Sequence, residues 1–305
     1  MLRRSPYWLA LLAVAIVEIV GHYVVQSRVV TDADWARASA RVRTAWEPGD
    51  LIVPAPEWSD PLVRRELGDL LSLSDAGRSD VSRYRRLWTM SIRGHRPREA
   101  PDGPPEHVEV VGPITILRWA LHPERVRYDF LEHVESAEVA LGDRACRWDR
   151  GRPRGGGLGA GPIEAGERHL CDPRRPWLWV GTTVMEDLEL RPRHCIWQHA
   201  AAPEAVSATF RDVPLGDRLV LAAGLYYEHE RTLERGPVEV GVFLEGVEIG
   251  RLVHRDGDGW KELSFSTRVP ARGAREVGTV RVEVTAPDPH LRSLCWAATT
   301  REGAP

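Results

Sequence analysis

Lysine is almost missing from this chain: of 41 basic Lys and Arg residues only Lys261 is a lysine. The same bias toward Arg, Ala, Gly and Pro marks a GC-rich coding sequence, so scattered arginines carry no ligand argument. Net charge is small too, at −3, which removes any general attraction to nucleic acid or anionic lipid. No G-x-S-x-G, H-E-x-x-H or Cys–His pair is present, and these absences exclude the common serine, zinc and cysteine hydrolase signatures. No two cysteines stand in C-x-x-C spacing, which argues against a structural zinc site or a thioredoxin-like redox motif. Neither G-x-G-x-x-G nor G-x-x-x-x-G-K-[ST] fits the glycine-rich stretch at 149–166, and no helix pattern follows it, so it is not a phosphate cradle.

What is present begins with an apolar run over residues 7–25, after Arg3 and Arg4. As a helix it spans ~28 Å, about one hydrocarbon core. The arginines before it and the mixed charge after it place the amino terminus in the cytoplasm and the rest outside. A cleaved signal peptide is the rival reading, but the run is long for one and ends without a small-x-small site. Glu18 and His22, four apart, share one face of this helix, either as a tolerated polar stripe or as a face that docks a partner. Export agrees with an even count of cysteines, Cys146, Cys171, Cys195 and Cys295, which in an oxidising compartment form two disulfides. Of three possible pairings, Cys146–Cys171 and Cys195–Cys295 are favoured: the first brackets the glycine-rich loop, and the second joins the first and last strands of one module.

Along the chain the pattern changes twice. Residues 31–145 alternate helix-like and strand-like segments: Trp35, Ala38, Val42, Ala45 and Trp46 recur at helical spacing behind Asp32, 50–53 and 87–92 read as strands, and Asp60-Pro61 opens another helix. Further strands follow at 108–111, 114–119 and 138–141, with a helix at 123–134 that aligns Val126, Phe130 and Val134. Residues 146–170 are a Gly/Arg/Pro-rich loop or linker. From 171 to 305 the chain becomes short alternating strands at 177–183, 193–199, 206–213, 219–226, 238–244, 247–253, 260–266, 279–285 and 294–299. Glu245-Gly246 is a tight hairpin, and Asp256-Gly257-Asp258-Gly259 is a turn. The expected architecture is a multidomain α+β chain. It has a cytoplasmic stub and transmembrane anchor at 1–30, a small α/β Rossmann-like domain at 31–145, and an antiparallel β-sandwich or jelly roll at 171–305.

Two stretches have a family look. Residues 35–92, with Trp46-Glu47-Pro48-Gly49-Asp50, Ile52-Val53-Pro54-Ala55-Pro56, Trp58 and Arg86-Leu87-Trp88, resemble the extracytoplasmic soluble domain of membrane-embedded glycosyltransferases that use lipid-linked sugars. The transmembrane helices that carry catalysis in those enzymes are absent from this sequence, so the resemblance implies a detached accessory domain and neither an activity nor any catalytic residue. Residues 195–299, with Phe210-Arg211-Asp212-Val213-Pro214-Leu215-Gly216, Gly250 and Asp258-Gly259-Trp260, are similar in rhythm to galactose-binding-like jelly rolls, a likeness that implies glycan binding in some members and a spacer role in others.

Sugar binding needs an aromatic ring to take the apolar face of a pyranose and polar groups for its hydroxyls. The candidate rings are Tyr226, Tyr227, Trp260, Trp177, Trp179 and Trp296, although core packing accounts for any one of them as well. Tyr227-Glu228-His229-Glu230 has an acid–base look. On a strand, however, its two glutamates face away from its histidine. Asp256-Gly257-Asp258-Gly259 resembles part of a calcium loop but lacks the remaining ligands, so no metal and no cofactor are expected. The sequence therefore predicts a non-enzymatic protein anchored in the lipid bilayer through residues 7–25. Its bulk is periplasmic or extracellular, and it binds a glycan or envelope protein and no nucleic acid. The alternatives are an assembly partner of a membrane glycosyltransferase system and an enzyme of unrecognised class.

Overall fold

The computed structural model describes residues 7–26, 29–153, 165–231, 235–268 and 276–303. Arg3, Arg4 and most of the glycine-rich loop lie outside them. Helix α1 (Tyr7–Gln26) has 20 residues, a mean hydropathy of 2.1 and no buried residue, so it is long and apolar enough to cross a membrane.

The chain divides into two compact units, one of residues 1–71 and 84–121, the other of 72–83 and 122–305. In the first, helix α2 (Asp32–Ala45) starts one residue earlier than its acidic residues suggest, because Thr31 is the cap. The Thr31 hydroxyl accepts from the Asp34 amide, and the Asp34 carboxylate accepts from the Thr31 amide, a reciprocal box that satisfies two donors otherwise left unpaired. Strand β1 (Asp50–Ala55), helix α3 (Asp60–Leu67) and strands β2 (Arg86–Ile92), β3 (His107–Val111) and β4 (Ile114–Ala120) complete the unit. The sheet order is β1-β2-β4-β3, and only β1 and β2 run parallel. A Rossmann-like parallel sheet is therefore not seen. Trp35, Ala38 and Val42 of α2 and Val63 and Leu67 of α3 pack with Ile52, Trp88, Met90 and Ile116 as one core. Asp50 is buried at the start of β1, where it accepts from the Trp88 indole at 2.8 Å and pairs with Arg86.

The second unit opens on a short helix, α4 (Leu73–Ala76), and then builds two sheets. Strands β5 (Arg125–Asp129), β6 (Glu138–Leu141), β7 (Arg144–Ala145), β8 (Arg147–Arg150), β9 (Glu167–Leu170), β10 (Trp179–Glu186), β11 (Pro192–Gln198), β12 (Val206–Pro214) and β13 (Arg218–Leu225) lead to helix α5 (Tyr227–Arg231). Strands β14 (Val238–Leu244), β15 (Val247–His254), β16 (Lys261–Ser266), β17 (Val277–Thr285) and β18 (Leu294–Glu302) follow. One sheet has the order β16-β13-β18-β11-β10-β9-β8 with β5 beside β18, and the other β15-β14-β17-β12-β6-β7. Period-two alternation explains the sandwich: Val238, Val240, Val242 and Leu244 of β14 and Val280, Val282 and Val284 of β17 face Leu219, Leu221, Ala223 and Leu225 of β13 in one buried core. At its centre Phe130, Phe210 and Trp296 meet edge to face, with centroids 4.8 to 6.3 Å apart. The Trp296 indole donates to Gln198 Oε1 at 2.9 Å, and the Gln198 amide donates to the Val206 carbonyl at 2.8 Å. The β14–β15 hairpin turns on Glu245 and Gly246, both at positive φ (52° and 79°), the mirror-image turn that matches strand twist and that glycine tolerates at no steric cost.

Both favoured disulfides form, Cys146–Cys171 and Cys195–Cys295, with sequence separations of 25 and 100. The first brackets the glycine-rich stretch, and the second joins β11 to its neighbour β18. One expectation changes. Residues 122–145, read as the end of the α/β domain, pair into the sandwich: β5 lies on β18 and β6 on β12. The helix expected at 123–134 is β5 followed by a 3-10 stretch, Phe130–Ser136, because burying Phe130 and Val134 in the sandwich outweighs a weak helical spacing.

Candidate functional site

The eight-stranded sheet has a second, outer face, and the aromatics gather there. Trp179 of β10, Cys195 and Trp197 of β11 and Cys295 of β18 alternate with residues of the sandwich core, so the pleat turns them outward together. With Met185 and Tyr226 they form a buried cluster, and Tyr227, Trp260 and Leu170 pack against it. Trp179 and Trp197 stack at 5.4 Å.

This arrangement sorts the six candidate rings. Trp296 points the other way, into the core, and is fully buried; Trp179 and Tyr226 lie inside the outer cluster, 4% and 2% exposed. Burial keeps these three from touching a ligand, and they serve as bedding. Trp177, half exposed, sits where its carbonyl accepts from the Trp197 indole at 3.2 Å. Tyr227 and Trp260 are half-buried. Trp260 lies over Gly224, where an added Cβ would stand 2.9 Å from the ring, and carries the Arg193 guanidinium 5.1 Å from its centroid. Arg193 is itself held by Asp187 at 2.8 Å, both largely buried. Trp260 is thus clamped; Tyr227, half-buried as well, carries the Arg231 guanidinium 6.0 Å from its centroid.

The strand expected to run through Tyr227-Glu228-His229-Glu230 is instead one turn of helix, closed by the Tyr226 carbonyl accepting from the His229 and Glu230 amides at 2.9 and 3.0 Å. The helical period changes which side chains meet. Tyr227 lies against the aromatic cluster, Glu228 is exposed, and its carboxylate accepts from the Tyr227 hydroxyl at 3.1 Å. Burial first, and then the charge of Glu228, push the Glu186 carboxyl at the end of β10 above the usual carboxylate range. The Tyr227 hydroxyl is pushed up as well, by burial, by its bond to Glu228, and by the charges of Glu228 and Glu186. His229 bonds the Ser293 hydroxyl at 2.8 Å through Nδ1, and burial lowers its pKa.

Sequence reasoning named Glu230 but placed it on a solvated strand end. The helical turn drives it inward to 3% exposure, where Oε1 accepts from the Gly259 amide at 2.7 Å and Oε2 has no hydrogen-bond partner among the described residues. Burial pushes this carboxyl up to about 7, and the charges of Asp256 and Asp258 add to the shift. His254, at the end of β15 and fully buried, donates from Nε2 to the Gly259 carbonyl at 2.8 Å and stands 3.8 Å from Glu230 Oε1; burial lowers its pKa. Asp256 pairs with the buried Arg292, and Asp258 with Lys261 at 2.9 Å, so the Asp-Gly-Asp-Gly segment is an ordinary turn braced by cations. Among the described residues no three His, Cys, Asp or Glu side chains gather as metal ligands. The only local hint of Glu230 was a run of titratable residues after a buried strand.

No family model and no curated protein sequence matches the chain. Solved structures similar to it include the CBM51-2 and INT domains of Clostridium perfringens ZmpB in complex with GlcNAc, at 11% identity over 67% of this chain and 39% of that one, TM-score 0.34. Others are CBM51 from Clostridium perfringens GH95 in complex with methyl-galactose (12%, 39% and 81%, 0.29) and the carbohydrate-binding module CBM36 in complex with calcium and xylotriose (13%, 51% and 93%, 0.22). The chain spans about two fifths of the length of the first of these. Scores at this level carry no inference to this chain. The resemblance of residues 35–92 to glycosyltransferase soluble domains is not shown by these comparisons.

Proposed function

We propose that this chain is a non-enzymatic binding protein, anchored in a membrane by α1 with its two folded units outside the cytoplasm, and that its sandwich binds carbohydrate on the outer face of the eight-stranded sheet. The observation that carries this reading is Tyr227: a half-exposed ring on a rigid aromatic bed, its hydroxyl bonded to the exposed carboxylate of Glu228 and close enough to Glu186 to feel its charge. A ring offers the apolar face of a pyranose a partner, and carboxylates accept from its hydroxyls. Trp177, half exposed and joined through its carbonyl to the Trp197 indole of that face, extends the surface, and Trp260 holds its bed. Two disulfides agree with an oxidising compartment. The test is retention of the detergent-solubilised full chain on immobilised polysaccharides and a broad glycan array. Tyr227→Ala should abolish retention and Trp177→Ala weaken it; a chain held by no glycan on the array would end the reading.

A second reading has one observation in its favour. Burial and the charge of Glu228 hold Glu186 toward its protonated form, and a carboxylic acid held protonated is what glycoside hydrolysis uses as its general acid. Release of sugar from a retained glycan, lost in Glu186→Gln, would replace binding by hydrolysis.

A further inference from the structure

Helix α5 carries Tyr227 and Glu228 outward and Glu230 inward, so one short turn connects the surface just described to a buried carboxyl. That carboxyl is tied to another segment: Gly259 donates its amide to Glu230 and its carbonyl accepts from His254. Trp260, which packs against the same aromatic cluster as Tyr227, follows Gly259 directly. The Glu230 to Gly259 hydrogen bond therefore pins together the two segments that place Tyr227 and Trp260.

The surroundings suit a neutral carboxyl and oppose a charged one. The Glu230 side chain has no exposed surface, its ion-pair neighbour is His254 at 3.8 Å, and although the Gly259 and Gly257 amides favour the charged form, burial outweighs them. From the turn after β15 it faces two carboxylates, Asp256 and Asp258, each engaged elsewhere, with Arg292 and Lys261. From β15 itself it faces His254, which burial keeps toward its neutral form. On α5 the neighbouring charged groups are Glu228 and Arg231, and Arg231 lies over the Tyr227 ring. An ionised Glu230 has two ways to lower its energy, to take up a proton or to leave for water.

We propose that Glu230 is a proton-operated latch, closing α5 onto the Gly259 turn when neutral and freeing it when ionised, so that pH sets the order of the carbohydrate-binding face. This rests on the reading that Tyr227 lies in that face. The latch closes on the acid side of neutrality, since burial holds the carboxyl protonated up to about pH 7. The released carboxyl keeps its ordinary value of 4.5 while the closed one is raised to about 7, so release becomes up to about ten-fold more favourable for each pH unit between those values and levels off above them.

The Gly259 amide reports the latch directly, because it is the donor in the bond. Its hydrogen exchange is followed in the full chain in detergent micelles from about pH 4 to about pH 8 and corrected for the intrinsic pH dependence of exchange. Protection should fall by up to about ten-fold per unit from about 4.5 to the closed form's titration midpoint near 7 and level off above it. In Glu230→Gln it should stay flat. Asp258→Asn, which removes one facing negative charge from an exposed turn, should move the midpoint toward acid pH and keeps the test open if the glutamine variant misfolds. Flat protection in the native chain, or a midpoint unmoved by Asp258→Asn, overturns the latch. Glycan retention of the same samples separates the two ideas: retention lost in Tyr227→Ala while native Gly259 stays flat removes the latch alone, whereas a titrating Gly259 in a chain that retains no glycan removes the binding function and leaves the latch standing.

Discussion

Glu230→Gln should change how the sandwich responds to pH, and the size of the change follows from its environment. The carboxyl has an ordinary value of 4.5 and is raised to about 7 in the folded chain. A raised acid binds its proton more tightly when folded, so the unfolded chain ionises first and folding loses stability as pH climbs from 4.5 toward 7. The full gap of about 2.5 units corresponds to about 3 kcal/mol at about 1.4 kcal/mol per unit. No discount for solvent screening applies, since the side chain is fully buried. Local release of α5 sets a ceiling, because a carboxylate that escapes to water stops costing the rest of the fold. Glutamine copies the protonated acid in shape but does not titrate. Its own offset in stability is therefore irrelevant, and the quantity to read is the slope. Denaturant melts of both proteins, followed by tryptophan fluorescence at steps from about pH 4 to about pH 8, should diverge by up to about 3 kcal/mol in favour of the variant at the alkaline end. Parallel profiles would refute the assignment of Glu230 as a buried, protonated acid.

Three further outcomes follow. His199, buried and bonded to the Ala200 carbonyl, is lowered from 6.5 to about 4, so its contribution is whole above 6.5 and is lost as pH falls toward 4; His199→Gln should remove up to about 3 kcal/mol of that acid-side slope in the same melts. Replacing Cys195 and Cys295 together by alanine opens a link across 100 residues and should cost about 3–5 kcal/mol in chemical denaturation, with little further effect of reductant on that link. Gln198→Leu leaves the Trp296 indole and the Val206 carbonyl without their partner; calorimetry should show a loss of about 2–4 kcal/mol, and a neutral result would mean that water replaces the amide.

The sandwich was legible because its signal is local. Alternation such as Val280, Val282, Val284 repeats at every strand, and a Glu-Gly pair between two such runs fixes a hairpin. The cysteine pairing was legible for the same reason, since strand positions were already assigned. The 123–136 segment misled because Val126, Phe130 and Val134 fit a helical period, and only the partner strand β18, far along the chain, decides otherwise. Of the candidate site, the aromatic face was half legible. Sequence named its rings but could not say which side of a strand would be covered, so Trp179, Tyr226 and Trp296 looked equal to Tyr227. Glu230 was legible only as one of a run of titratable residues, because its chemistry comes from Asp256, Asp258 and Gly259, which folding brings up from beyond the next two strands.

Strand β18 comes last among the sandwich strands in chain order, yet β13 and β11 flank it and β5 pairs with its end. A polypeptide emerging amino end first must therefore keep an unfilled slot, with an apolar floor, until residue 302 has arrived. Vectorial folding is blocked by topology, and closure comes as one late event. On the proposed export of the sandwich, a chain that stays loose until then pairs its distant sulfurs only once it has emerged.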